Sequence, residues 1–285
     1  MKGHEVKKQT EEALDQLAKA LDQGKSEQLK QYLSAMGRFR RYSLGNILLI
    51  SFQRPGATRV AGYRSWLRLG RQVKQGEHAI RILAPILRRK RREDQQENGE
   101  DELVSFRGAC VFDIAQTEGK PLPEFAKVRG DPAAHLERLK TMVAERGITL
   151  DYSDNMRAEG LTSGNKIVLR SGLTPAEEFS TLVHEFAHAR LHFGDEEKRR
   201  QASKTVRETE AEAVAFVVSQ AIGLDTNTAS ADYIQLWDGD RGTLVQSLER
   251  IRYVAGEIIE EILPEADSSV ESDGDTGGIS QALAA

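Results

Sequence analysis

His184-Glu185-Phe186-Ala187-His188 is the stretch of this 285-residue chain best equipped for chemistry. Histidines four apart share one face of a helix, about one turn from each other, close enough to hold a single ion. A glutamate beside the first histidine points toward the open coordination position, where it can take a proton from bound water. The pattern H-E-x-x-H therefore reads as a zinc peptidase motif, with His184 and His188 as ligands and Glu185 as general base. A catalytic zinc takes three protein ligands. Twenty residues after His188 stands Glu208, opening the apolar helix Glu208-Thr-Glu-Ala-Glu212-Ala-Val-Ala-Phe-Val-Val. Such a helix can return antiparallel and present Glu208 to the ion. Glu210 and Glu212 compete for that role, and acids at a helix start also occur for macrodipole reasons alone. With Glu208 as ligand, Glu212 lies one turn on and accepts the outer N–H of a ligand histidine. The expectation is one Zn2+ per chain. His192 is a turn too far to share the ion with His184 and reads as a rim or packing residue.

The elements that must hold these residues are punctuated. Thr174-Pro175-Ala-Glu177 is a capping box with proline at the first helical position, and Gly194 is a stop signal. Phe179, Leu182, Val183, Phe186 and Leu191 form a core stripe beside the histidine face. The run Lys166-Ile-Val-Leu-Arg170 predicts a strand just before this helix, and 149–152 another. Helices are expected near 132–146, 174–193, 204–222 and 241–262. Towards the N-terminus, helical spacing over 5–22 and 27–36 precedes a buried helix from Tyr42 that Pro55-Gly56 closes. A short basic helix spans Gly62 to Leu69. Strands are expected over 78–85 and 104–114, with Arg88–Asp101 as a polar, exposed hairpin loop.

A single cysteine excludes an intramolecular disulfide, and no stretch approaches eighteen uncharged apolar residues. No signal-peptide pattern opens the chain, so a cytoplasmic location with no membrane association is expected. The net charge of −4 hides two opposed halves. Residues 1–126 hold 23 Lys+Arg against 16 Asp+Glu, a balance of +7, while the remainder holds 17 against 28, a balance of −11. With Pro121-Leu-Pro and Gly130-Asp-Pro as linker signals, the domains read as 1–126, 127–263 and an acidic, disordered tail at 264–285. The fold class is α+β. A small helix-plus-antiparallel-sheet domain comes first and a mostly helical zincin-like domain second.

From Arg38 to Arg92 there are fifteen basic residues and one acid, Glu77. They are interleaved with Phe39, Tyr42, Phe52, Tyr63 and Trp66. Cations follow a phosphate backbone, and aromatic faces stack on unpaired bases, so the mixture favours single-stranded nucleic acid. A solvated basic face over an aromatic core has the same composition, and the residues alone leave both readings open. No helix-turn-helix signature supports a regulator of duplex DNA.

Two resemblances bear on this. The order Tyr42-Ser-x-x-Asn46-x-Leu48-Leu49, Gly62-Tyr-Arg-x-Trp66-x-x-x-Gly70-Arg-x-Val73-Lys-x-Gly76-Glu77 and Val111-Phe112-Asp-x-x-Gln116-Thr117-x-Gly119 resembles the N-terminal domain of ArdC-type antirestriction proteins. The spacing from His188 to Glu208 is similar to the gluzincin arrangement, and Leu-Val-His-Glu-Phe-Ala-His-Ala-Arg-Leu-His resembles the ImmA/IrrE-type metallopeptidases, which usually have Asn or Asp where Glu212 stands. The first resemblance implies single-stranded-DNA binding in a protein of mobile elements. The residues expected to meet DNA are Arg40, Arg41, Tyr42, Asn46, Tyr63, Arg64, Trp66, Arg68, Arg71 and Lys74. The second implies a cytoplasmic peptidase of narrow specificity, acting on an unidentified protein. Two functions follow: a zinc metallopeptidase placed on single-stranded DNA, serving antirestriction, or a non-enzymatic DNA-protecting protein whose zinc domain is structural or vestigial. The oligomeric state is not encoded legibly.

Overall fold

Alternation and helical spacing become elements in the computed structural model, which describes residues 3–24, 27–89, 101–121, 132–193, 203–224 and 241–263. Of the loop expected over Arg88–Asp101, Arg88, Arg89 and Asp101 are instead paired in the strands, because the hairpin ladder continues further than the apolar alternation. Residues 90–100 lie outside the described residues, as do the linker, the stop at Gly194 and the acidic tail. The chain is α+β, with small, mainly antiparallel sheets followed by a helical part. Among the described residues no helix is long and apolar enough to cross a membrane. The fold divides into two units: residues 1–16 with 41–122, and residues 17–40 with 123–267. Helix α1 (Gly3–Asp22), with Val6, Ala13, Leu14, Leu17, Ala18 and Leu21 buried at helical spacing, contributes to both.

In the first unit, α3 (Leu44–Gln53) starts at Ser43, whose hydroxyl accepts from the Asn46 amide. Strand β1 (Val60–Ala61), α4 (Tyr63–Arg68), β2 (Arg71–Val73), β3 (Ile80–Arg89), β4 (Asp101–Asp113) and β5 (Thr117–Gly119) follow. They form the antiparallel sheet β1-β4-β3 and the ribbon β2-β5. Period-2 alternation puts Ile80, Ile82, Ala84 and Val111 in the core, and turns Arg81, Cys110 and Phe106 to the other face. Strand β3 is an edge, and α3 closes it with two amide side chains. Asn46 Oδ1 accepts from Leu83 N and its Nδ2 donates to Leu83 O, each at 2.8 Å. Gln53 does the same at Arg81, at 2.9 and 2.8 Å. Residues seven apart on a helix thereby match residues two apart on a strand, and the exposed ladder is capped.

The second unit contains α2 (Glu27–Arg38), α5 (Pro132–Glu145), β6 (Thr149–Ser153), β7 (Gly160–Thr162), β8 (Lys166–Arg170), α6 (Pro175–His192), α7 (Lys204–Ala221) and α8 (Arg241–Ile262). Its grouping differs from a single cut at residue 126 because α2 packs on α7. At Gly37 the backbones approach so closely that a Cβ would stand 2.9 Å from the Val217 carbonyl oxygen. In the small sheet β6-β8-β7, β6 runs parallel and β7 antiparallel to β8, which leaves β7 at an edge. Helix α6 begins as its sequence dictates, with the Thr174–Glu177 capping box and Pro175 in the first turn. It packs against α5 and α7 and fully buries Phe179, Leu182, Val183 and Phe186. Each is worth roughly 1.5–3 kcal/mol of transfer free energy, which fixes the rotation of the helix and so the direction of its histidines.

Candidate functional site

His184 and His188 stand one turn apart on α6 with their Nε2 atoms 3.1 Å from each other. Glu208, in the second turn of α7, brings Oε2 to 3.2 Å from His188 Nε2 and 3.7 Å from His184 Nε2. These three donors form a cluster able to hold one metal ion. Glu212, one turn along α7, puts Oε2 3.4 Å from His184 Nδ1, the ring nitrogen that faces away from the cluster. Glu210 turns the other way and is 1% exposed. Its Oε1 accepts from Ser247 Oγ at 2.6 Å and from Arg250 at 2.5 Å, so it fastens α7 to α8. Of the competing carboxylates, Glu208 alone lies within reach of both histidine Nε2 atoms.

Glu185 is buried, 7% exposed. The Thr162 hydroxyl, on edge strand β7, donates to its Oε2 at 2.5 Å. Gly160 on the same strand is required by contact: a Cβ there would lie 2.6 Å from Glu185 Cγ and Oε1. Burial raises the Glu185 pKa, and the Glu208 charge adds to this against the opposing effects of Thr162 and His184. Burial alone would lower His184, but its bond to Glu212 and the charges of Glu185, Glu212 and Glu208 hold it above the ordinary histidine range. His188 is pushed down by burial and by His184. His192 is buried and pushed down to about 4, chiefly by desolvation. It is therefore a neutral packing residue at physiological pH, with Nε2 3.1 Å from the Arg207 carbonyl.

The residues expected to meet DNA separate into two groups. Trp66 is 2% exposed and donates Nε1–H to the Phe112 carbonyl at 2.9 Å. Asn46 is 4% exposed and holds Leu83. One side chain is committed to the core and the other to a strand edge. Arg71 is likewise occupied, through Thr117 Oγ1, Thr117 O and Lys120 O at 2.8, 3.0 and 2.6 Å. Tyr42 and Arg40 are half-buried, and burial raises the Tyr42 pKa. Tyr63, Arg41, Arg64, Arg68 and Lys74 are exposed, with Lys74 Nζ donating to Ala115 O and Arg68 to Ser65 Oγ. Phe106, 53% exposed on β4, was not singled out by the sequence reading, although the alternation of 104–114 contains it.

Comparison with known proteins gives these two regions a context. Residues 7–112 match the family model for the N-terminal domain of anti-restriction factor ArdC, and residues 136–236 match the model for the IrrE N-terminal-like domain. The chain thus joins an ArdC-type N-terminal domain to an IrrE-like domain. Crystal structures of the antirestriction protein ArdC from plasmid R388, metal-free and Mn(II)-bound, share its fold. The metal-free one has a TM-score of 0.54 at 17% identity, over 89% of this chain and 97% of that one. The Mn(II)-bound one has the same score and identity over 90% and 98%. An uncharacterized protein of Bacillus anthracis is 24% identical over 282 residues. The chain spans about half the length of that relative, 47% of it, with 82% of its own.

Within the IrrE-like part, the donor set fits a tetrahedral ion. Ligand atoms about 2.0–2.1 Å from zinc in a tetrahedron stand about 3.3–3.4 Å apart, and the three separations bracket that value. Two imidazoles and a carboxylate leave one position for water or substrate, and a carboxylate beside them can serve as base. Thr162 and Gly160 are the residues here that no motif announced. They lie on a three-residue strand whose partner, Glu185, is more than twenty positions away. In the ArdC N-terminal domain, the residues of the ordered motifs are largely fasteners. Asp113 Oδ1 accepts from Thr58 N and Arg59 N at 2.8 and 3.1 Å, and Gln116 ties Asp113 N, Glu77 and His78 O together.

Proposed function

We propose that this ArdC-type chain is a single-stranded-DNA-binding protein with a zinc metallopeptidase domain, acting in the cytoplasm as an antirestriction or DNA-protection factor of a mobile element. The observation that carries the enzymatic part is the convergence of His184, His188 and Glu208 beside a buried Glu185. R388 ArdC, a solved protein of the same fold, has a Mn(II)-bound form, which supports the binding of a divalent ion. Two imidazoles and one carboxylate suit zinc, one ion per chain. When bound, zinc would supply Lewis acidity, polarising the scissile carbonyl and lowering the pKa of water toward about 7.

The rest of the chemistry belongs to the side chains. Glu212 accepts from Nδ1 of His184 and so directs the Nε2 lone pair into the cluster. Glu185 takes the proton from the attacking water and returns it to the leaving amine. Its raised pKa brings it closer to the working pH, as a base that must also act as acid requires. Thr162 and Gly160 fix its carboxylate in one orientation. A site that only held the fold together would fill its fourth position with a protein ligand, and among the described residues none joins the three donors.

The DNA-binding part rests on the ArdC N-terminal match and on the basic run from Arg38 to Arg92. Wild type and Glu185→Gln should be compared on host proteins, with and without single-stranded DNA, with metal content measured on both. The expected result is equal metal in the two and cleavage by wild type alone. Equal cleavage by Glu185→Gln would remove the peptidase mechanism. No cleavage by wild type, with metal and DNA bound, would put a purely protective binding protein in its place.

A further inference from the structure

Beyond the ArdC match, the face of the β1-β4-β3 sheet turned away from the core has a composition that calls for a ligand. Along β4, alternate positions on this face are Phe106, Gly108, Cys110 and Phe112. Phe106 is 53% exposed, where a solvated strand would carry a polar side chain. At the far end Tyr63, 50% exposed, stands edge-on to Phe112 with ring centroids 6.4 Å apart. Between the two aromatic ends are a glycine and a cysteine, which raise no obstacle above the sheet. Across from Cys110 on β3 is exposed Arg81. Six residues of strand span about 20 Å, room for roughly six nucleotides at the stacked spacing of about 3.4 Å.

Exposed guanidinium groups border this floor, Arg81 on β3 and Arg64, which follows Tyr63 on α4. Two acids of the unit are engaged internally, Asp113 by the amides of Thr58, Arg59 and Ala115, and Glu77 by Gln116 and Arg54. The sheet itself is fastened at its edge by Asn46 and Gln53 and at Phe112 by the Trp66 bond to its carbonyl. Open rings on a fastened floor of Gly108 and Cys110, with Leu83 and Pro85 beside them on β3 and guanidinium groups at its border, match an unpaired polynucleotide strand. Its bases can stack on the rings while its phosphates meet the cations. A duplex offers no base faces.

The geometry points to a specific track: single-stranded DNA lies along β4, stacking on Phe106 at one end and on the Tyr63–Phe112 pair at the other, over Gly108 and Cys110, with Arg81 on its phosphates. This rests on the reading of the chain as a single-stranded-DNA-binding protein and adds Phe106, Cys110 and Arg81, which stand outside the ordered motifs, to Tyr63 and Phe112, which stand within them. Cys110 is the chain's one cysteine, and it is exposed, so it reports occupancy of the track directly.

The test uses the full chain and oligo(dT), which forms no duplex. Wild type should bind it by fluorescence anisotropy. Phe106→Ala should weaken binding about 5- to 150-fold, the range expected for one lost stacking platform, and Phe106→Trp should restore it. Because Phe106 is exposed, its removal leaves the fold intact, which circular dichroism verifies. Saturating oligo(dT) should slow reaction of Cys110 with a thiol reagent in wild type. Wild-type affinity in Phe106→Ala, or Cys110 reacting equally fast with and without oligo(dT), would overturn the track while leaving single-stranded-DNA binding in place. Absence of oligo(dT) binding by wild type would overturn both.

Discussion

The metal cluster and the open sheet face solve opposite problems. At the cluster, three donor atoms stand 3.1–3.7 Å from one another, and Glu212 stands 3.4 Å from the other ring nitrogen of His184. Such crowding is tolerable only if the ligands are oriented before the ion arrives and the carboxylates balance the imidazoles. On the sheet face, aromatic rings stay in water that a folding chain would ordinarily remove from them. Exposure there is the functional property, and the restraint lies in other residues, Asn46 and Gln53 at the sheet edge and Trp66 at the Phe112 carbonyl. A site that performs chemistry is stiffened within itself, whereas a site that receives a long flexible ligand is stiffened by residues outside it. Substitutions should therefore separate stability from function differently in the two places.

The largest effect should come from Glu185→Gln. It removes the base while keeping shape and the Thr162 contact, and any hydrolysis should fall by about 10²–10⁴-fold with metal content unchanged. Measured beside it, His184→Ala or His188→Ala should abolish stoichiometric metal by elemental analysis, because a three-donor site tolerates the loss of a donor poorly. Glu212→Gln should weaken the metal by about 10–100-fold, the usual consequence of losing a partner behind a ligand. Glu210→Gln would leave the ligand set whole and register instead as lost thermal stability. If Glu210→Gln lost metal and Glu208→Ala kept it, the facing of α7 described above would be wrong.

These contrasts also show what the sequence could carry. The pair at 184 and 188, the general base between them and the helix that bears them are legible because helical spacing is local and its capping signals are written beside it. The choice among Glu208, Glu210 and Glu212 is not local. It is made by Ser247 and Arg250, about forty residues on, which claim Glu210 and leave the 208–212 face to the histidines. In the first unit, alternation announces β3 and β4 but not which face is covered. Trp66, Asn46 and Arg71 lie in a basic, aromatic run and look like ligand contacts. Each is taken up by the fold, through hydrogen-bond partners between 37 and 49 residues away. Many motif residues there report how the sheet is fastened, and of the two exposed rings of the track Tyr63 lies within a motif whereas Phe106 lies outside every one.

A sharper version of the comparison sets Trp66 against Tyr63, three residues apart on α4. Trp66→Ala empties a buried site and removes its bond to the Phe112 carbonyl, and should cost about 3–5 kcal/mol of stability. Tyr63→Ala removes a half-exposed ring. It should leave the thermal midpoint near wild type and reduce oligo(dT) affinity instead. Equal loss of stability in both variants would mean that Tyr63 belongs to the core.

The smallest effect is expected at the strand edge, and it distinguishes a fastener from a contact most cleanly. Asn46 makes two hydrogen bonds to Leu83 from a buried position, whereas Gln53 makes the equivalent pair to Arg81 from an exposed one. Removing Asn46 leaves a backbone amide and carbonyl unpaired where water reaches them poorly, a penalty of about 1–3 kcal/mol. Removing Gln53 hands the same groups to solvent, so the loss should stay near about 0.5–1.5 kcal/mol. Hydrogen exchange at Leu83 should accelerate in Asn46→Ala well beyond the change at Arg81 in Gln53→Ala. Oligo(dT) affinity, measured at a temperature where Asn46→Ala is fully folded, should match wild type. Reduced affinity with Leu83 exchange unchanged would identify Asn46 as a DNA contact and reverse its assignment to the fold.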